Sequence, residues 1–369
     1  MRMTKRERAL TVLAGGRPDK LPWFGDLTYW KSYLEATGSL DGRYKGPDGT
    51  HRLNEDMGVG FYLQGFFPFK THVESVDVKA GDRGGARVTS YSTPYGTLTE
   101  ASRHLPGSYT SAPIEHMVKG PGDLRALRHI YENTHYEPLP SDFAAIGGSI
   151  GSNGVTLCYV PKSPFMELLV YKAGVEATAY LAEDCPEELG HTLEVIAGRH
   201  GEASAITLAS ACECVMMPEN FSSDCVGAES YDRYVGPYHR EWSRKIEDRG
   251  KHSFIHVDGA VRGLLGRLCG SGFKVLEALT TQPVGDVGVG ELTVAAPSGT
   301  VIWGCLPGAL FGPSFPEGEF RSYCVGAIKA LAGRPGCVLG VADQVPPYAD
   351  ADRVRMVDGL VEEYGAITW

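Results

Sequence analysis

The sequence predicts an α/β fold: a single decorated TIM-type (β/α)8 barrel over residues 1–369, with an N-terminal helix and an inserted β-hairpin. Three observations carry this. Short β-rich runs alternate with helical patterns along most of the chain, as βα units do. Gly- and Pro-rich bends separate them, drawing on 47 glycines and 23 prolines that no repeat explains. The length of 369 residues suits about eight such units. A dinucleotide-binding sheet is disfavoured, because Gly148-x-x-Gly151-x-x-Gly154 has the wrong spacing for the phosphate-binding turn.

The elements follow in order. Thr4 and Glu7 form a capping box that opens a helix with Ala9, Leu10, Val12 and Leu13 on one side, and Gly15-Gly16 ends it. Residues 21–26 (LPWFGD) make a first strand. Residues 71–115 break the alternation: Arg87–Tyr91 and Gly96–Thr99 flank Pro94-Tyr95, which predicts a hairpin inserted between early barrel units. Residues 155–160 form a strand, with Ser163-Pro164 as N-cap and first turn of a helix through Met166 and Leu169. A helix starting near Pro186 carries Leu189, Leu193 and Ile196.

The second half repeats the layout. Residues 205–211 read as a strand that ends at Cys212-Glu213-Cys214. Tyr231, Val235, Tyr238, Trp242 and Ile246 recur at helical spacing until Gly250. Further strands are expected at 253–257, 274–279, 300–304 and 337–341. Helix faces follow at Val261, Leu264, Leu265 and Leu268, and at Val354, Val357, Leu360, Val361 and Tyr364.

A formal charge of −10, from 35 Lys+Arg against 45 Asp+Glu, excludes non-specific nucleic-acid binding, which needs counterion release. The basic N-terminus lacks the apolar core of a signal peptide, and no run approaches the roughly 18 apolar residues of a membrane span. Nine cysteines without a CxxC pair predict a reducing, cytoplasmic setting rather than a disulfide framework.

Active sites of such barrels lie at the C-terminal ends of the strands. Those ends supply Asp26, Tyr159, Glu213, His256 with Asp258, Glu277, Cys305 and Asp343. His256, Asp258, Asp343 and Glu213 include the nitrogen and oxygen donors that zinc accepts. Glu213, Glu277 and Asp26 are the candidate acid/base residues. The aromatic stretch with Trp23, Phe24 and Trp30, together with Tyr159 and Cys305, forms a candidate substrate wall. Each has a structural alternative: a satisfied core histidine, a helix-capping Asp258, a Glu213 paired with Arg or Lys, a loop-anchoring Glu277, a turn at Asp343, and aromatics and Cys305 as packing.

Thr4–Ala9 with Pro18–Pro22, Thr93-Pro-Tyr-Gly-Thr97, Phe254–Gly259, Glu277–Thr280 with Pro283–Asp286, and Leu339–Pro347 occur in order along the chain. This set resembles uroporphyrinogen-decarboxylase-like proteins, which implies a TIM-type barrel. True decarboxylases of that superfamily carry substrate-gripping arginines after the first strand. Residues 21–40 here contain none. The other branch comprises zinc-dependent methyltransferases that work with corrinoid proteins through an H-x-C motif and a distant second Cys. His256 matches the histidine, while Asp258 and Asp343 stand in the places of the two cysteines. That substitution implies a harder, more Lewis-acidic zinc.

The leading expectation is therefore zinc-assisted methyl transfer from a small methylated compound, such as a methoxylated aromatic undergoing O-demethylation, to a corrinoid (cobalamin-type) protein. A homo-oligomer is compatible with it. The alternative is a cofactor-free decarboxylase-type lyase using Asp26, and a third reading is a non-catalytic partner-binding barrel.

Overall fold

The helix Lys5–Leu13 begins with a reciprocal cap: the Glu7 amide donates to Thr4 Oγ1 at 3.1 Å, and the Thr4 amide donates to Glu7 Oε2 at 2.7 Å. Its buried residues Ala9, Val12 and Leu13 join a core cluster with Phe24, Tyr62, Leu157, Met216, Phe254, Val275, Trp303 and Val338. This computed structural model describes residues 2–46, 48–62, 65–106, 109–139 and 143–369. The chain divides into two units. The first comprises Met1–Phe66, Asp142–Tyr159 and Ala211–Trp369, and the second Phe67–Ser141 and Val160–Ser210.

The first unit is built on a seven-stranded parallel sheet. Its order is Trp23–Asp26, Cys337–Gln344, Val301–Pro307, Val275–Leu279, His252–His256, Cys214–Met217 and Leu157–Tyr159. The strand at Trp23 thus pairs in parallel with the strand at Leu339. Phe61–Tyr62 pairs in parallel with Gly154–Val155, and a single parallel bridge joins Phe24 to Gly60. The strands draw on Val, Ile, Phe and Leu and are buried almost throughout, as expected of a parallel sheet covered on both faces. One inner face of the curled sheet gathers Leu157, Met216, Phe254, Val275, Trp303 and Val338 around Phe24 and Tyr62. Trp303 meets Phe24, Tyr62 and Phe254 at centroid distances of 5.0, 5.3 and 5.3 Å. The observed architecture is an α/β fold with a curled parallel sheet, which agrees with the βα alternation.

The second unit contains a four-stranded antiparallel sheet, Asp77–Arg83, Ala86–Thr93, Gly96–Leu105 and Thr110–Glu115. The expected hairpin at 71–115 is therefore its centre, extended by a strand on either side. Those flanking strands are polar and largely exposed, so no alternation of apolar residues announces them. Phe69–Val73 pairs with Thr134–Pro138. The helices Leu124–Glu132 and Pro186–Ala209 are joined by Arg128, which donates to Glu188 Oε2 at 2.7 Å and to Thr192 Oγ1 at 3.0 Å.

The strand expected at 205–211 is corrected: residues 205–209 are the last turns of the helix Pro186–Ala209. Leu189, Leu193, Ile196, His200, Ala203 and Thr207 are buried at spacings of three or four, so helical burial overrides the local β-forming character of Ile206 and Thr207. Among the described residues, no helix is long and apolar enough to cross a membrane.

Candidate metal centre

His256 ends the strand His252–His256, two residues beyond Phe254 of the core cluster. Alternation along the strand keeps both on one face, so the imidazole stands one step above the apolar layer. Glu277 is its register partner on the next strand and follows Val275 in the same way. The pair meets: His256 Nδ1 lies 2.6 Å from Glu277 Oε2, and the Tyr62 hydroxyl donates to Glu277 Oε1 at 2.8 Å. Glu277 is fully buried, and both of its oxygens are thereby engaged.

The other ring nitrogen faces two more carboxylates. His256 Nε2 is 3.7 Å from Asp258 Oδ2 and 3.7 Å from Asp343 Oδ1. Asp258 also accepts from Asn220 Nδ2 at 3.1 Å. One donor atom from each of His256, Asp258 and Asp343 lies within 4.8 Å of the others. Asp343 sits at φ 64, a left-handed conformation that non-glycine residues adopt sparingly and that clusters at functional sites. Its side chain is 52% exposed, so the trio opens to solvent on that side.

The electrostatics follow from this crowding. Burial opposes a charged imidazole, but the Glu277 charge, the hydrogen bond to Glu277 and the nearby Asp258 carboxylate hold His256 well above its ordinary pKa. Burial also pushes Asp258 up, yet the neighbouring His256 and the hydrogen bond from Asn220 leave it below the usual carboxylate range. Loss of water raises Asp343 to about 6, with His256 opposing and Asp258 and Glu277 adding to the rise. Three acids surrounding one imidazole make a place that favours positive charge.

The trio fits a divalent cation. Zinc bonds to nitrogen and oxygen donors at about 2.0–2.2 Å in tetrahedral arrangement, which sets neighbouring donors about 3.3 Å apart. The 3.7 Å separations around His256 Nε2 and the span of at most 4.8 Å across the three donor atoms would close onto a bound ion. With Nδ1–H donated to Glu277, a metal ion would displace the Nε2 proton and take that lone pair, the carboxylate–histidine arrangement typical of metal ligands.

Asp26 is buried at the end of the first strand. Its Oδ1 accepts from the Thr28 amide at 2.7 Å and from Thr28 Oγ1 at 2.6 Å, while Oδ2 is enclosed without a hydrogen-bond partner among the described residues. Burial raises it to about 6; Thr28 opposes this, and Asp343 and Glu277 add to it. Burial and the charges of Glu277 and Asp26 likewise push the Tyr159 hydroxyl well above its ordinary value.

Glu213 is not in this site, which corrects the expected ligand set. It precedes its strand, Cys214–Met217, instead of ending one, because the preceding segment is helical. There it receives both guanidinium nitrogens of Arg6, with one contact of 3.0 Å to Arg6 Nη1, and bonds the Thr156 amide at 3.0 Å. Burial opposes its ionisation, but Arg6 and Thr156 hold it below the usual carboxylate range.

The substrate wall is also revised. Trp23 and Phe24 are 2% and 0% exposed, and Trp30 and Cys305 are buried as well. Phe24 belongs to the core cluster. Burial keeps the Cys305 thiol protonated, and its carbonyl accepts from Thr281 Oγ1 at 2.9 Å and Tyr323 at 3.1 Å. Of these five residues, Tyr159 alone keeps a partly exposed surface. Tyr62 and Asn220, which the sequence does not single out, are the additions.

Residues 152–364 match the family model of uroporphyrinogen decarboxylase, URO-D. The chain belongs to the URO-D family. The matched segment carries His256, Asp258, Glu277 and Asp343, whereas Asp26 and Tyr62 precede it. Among solved structures, a methyltransferase from Methanosarcina mazei superposes with a TM-score of 0.66 at 11% identity, covering 98% of this chain and 99% of that one. The two share a fold. A B12-independent methionine synthase from Shewanella sp. W3-18-1 superposes with a TM-score of 0.42 at 10% identity, covering 88% of this chain and 90% of that one. No curated protein sequence matches this URO-D family member.

Proposed function

We propose that this URO-D family protein moves a methyl group from a small methylated compound to a corrinoid protein in the cytosol, with zinc held by His256, Asp258 and Asp343. The observation that carries the reading is the facing of His256 Nε2 by two carboxylates while Nδ1 is fixed on buried Glu277. The superposition on a methyltransferase supports it through the fold. On the same reading, Phe61–Tyr62 completes the seven-stranded sheet as an eighth barrel strand, through its pairing with Gly154–Val155 and the bridge from Phe24.

Bound at this trio, zinc would supply Lewis acidity toward the oxygen that leaves as the methyl group departs. Glu277 holds the His256 ring and its tautomer, and Tyr62 holds Glu277. The C–O bond breaks with its electron pair going to oxygen. A corrinoid carried by the partner protein would supply the Co(I) electron pair that forms the new bond to the methyl carbon. Asp26, with a pKa of about 6, holds the proton that the departing oxygen requires.

Zinc analysis of protein purified without added metal tests the reading. About one zinc per chain, abolished in His256→Ala, is expected; equal metal content and equal methyl transfer to cob(I)alamin in that variant overturn it.

A metal-free decarboxylase reading draws on the family match and on the buried, raised Asp26. The absence of arginine from residues 21–40 leaves a polycarboxylate without its charge complement there. Turnover of uroporphyrinogen without a corrinoid protein would establish it.

A further inference from the structure

We infer that Asn220 is a positioning residue that fixes the Asp258 carboxylate for metal ligation. The inference rests on the metal reading above and adds a residue outside the trio.

Asn220 follows the strand Cys214–Met217 and stands at φ 50, a left-handed conformation that asparagine tolerates better than most residues. Its Nδ2 donates to Asp258 Oδ2 at 3.1 Å, the same oxygen that faces His256 Nε2 at 3.7 Å. An amide N–H can only donate, so this contact favours the ionised, ligating form of the carboxylate.

The loop around Asn220 is tied on both sides. Before it, Glu219 and His239 are both fully buried, with Glu219 Oε1 2.7 Å from His239 Nε2, and His239 Nδ1 is 3.2 Å from the Tyr231 hydroxyl. After it, the Gly259 amide donates to the Phe221 carbonyl at 3.2 Å and the Ser223 amide to the Ala260 carbonyl at 2.7 Å. A Cβ on Gly259 would stand 2.4 Å from Ser222 Cβ, so the segment after Asp258 and the loop after Asn220 lie directly against each other. A buried hydrogen-bonded anchor on one side and a glycine-permitted approach on the other set the backbone. The Asn220 side chain then delivers its amide to one oxygen of Asp258.

Asn220 itself is exposed, which makes Asn220→Gly a clean test. Glycine accepts the positive φ without strain and removes the side chain with its carboxamide. Zinc affinity is measured by competition with a chromophoric chelator for the wild type, Asn220→Gly and His256→Ala. The visible spectrum of the cobalt(II)-loaded protein and the melting temperature of the metal-free protein are recorded for each. A 10–100-fold weaker zinc affinity in Asn220→Gly, with a shifted cobalt spectrum and an unchanged metal-free melting temperature, is expected. Wild-type affinity in Asn220→Gly with loss in His256→Ala overturns the inference and leaves the metal reading standing. A lowered metal-free melting temperature that accounts for the weaker binding reduces Asn220 to loop structure and also overturns it. Absence of zinc binding by the wild type overturns the metal reading and the inference together.

Discussion

The Nδ1 of His256 and the Oε2 of Glu277 lie 2.6 Å apart on neighbouring strands in register, and Glu277 has no exposed surface. A carboxylate is tolerated there because Tyr62 and His256 occupy its two oxygens. Glu277→Gln keeps the shape and the Tyr62 contact but removes the charge. Zinc affinity is expected to fall about 10–100-fold while the metal-free fold persists, as read by chelator competition and circular dichroism. Unchanged affinity would remove Glu277 from the metal's support.

Asp26 predicts a pH dependence. Its pKa is raised by burial to about 6, and the protonated form is the proton donor. Methyl transfer is therefore expected to fall as pH rises through about 6. Asp26→Asn is expected to flatten that limb and to lower the rate about 10²–10⁴-fold. A limb near 6 that persists in Asp26→Asn assigns the proton to another group.

Glu213 separates a structural acid from a ligating one. Glu213→Gln weakens the Arg6 pair, whose burial lies between surface and interior. A loss of about 1–2 kcal/mol in urea unfolding is expected, with zinc content per folded chain equal to that of the wild type. Loss of metal in this variant would return Glu213 to the ligand set.

The first helix carries an acid-sensitive tie. Arg8 Nε donates to Asp19 Oδ1 at 2.6 Å and Arg8 Nη2 to Asp19 Oδ2 at 3.0 Å, and the Arg8 hydrogen bond is the main cause that lowers Asp19 to about 2. A depressed carboxylate stabilises the fold above its unfolded pKa and loses that contribution as pH falls. The stability gap between wild type and Asp19→Asn, on the order of 1 kcal/mol after solvent screening, is expected at neutral pH. It should shrink between about pH 4 and about pH 2. A gap independent of pH would contradict the pairing.

How much of this the sequence discloses depends on range. The Thr4–Glu7 cap is legible because both partners lie within one helical turn. His256, Asp258 and Asp343 are legible because each stands at or just beyond the end of a run of strand-forming residues. Glu213 misleads because Ile206, Thr207 and Leu208 suit either structure, and only packing of the helix Pro186–Ala209 decides between them. Trp23 and Phe24 are equally suited to a wall or a core. For Phe24 the choice is made by Tyr62 and Trp303, which are distant in sequence. Asn220 is illegible, since its value lies in a backbone angle and in an oxygen thirty-eight residues away.

The pairing of Trp23 with Leu339 constrains how the protein is made. On a ribosome the strand at Trp23 emerges well before the strand Cys337–Gln344 with which it pairs. Until Cys337–Gln344 arrives, Phe24 and the apolar side of the Lys5–Leu13 helix have only part of their neighbours. The nascent chain thus carries an unfinished apolar edge from one of these strands to the other, and chaperone occupancy should concentrate on that stretch until translation passes residue 344.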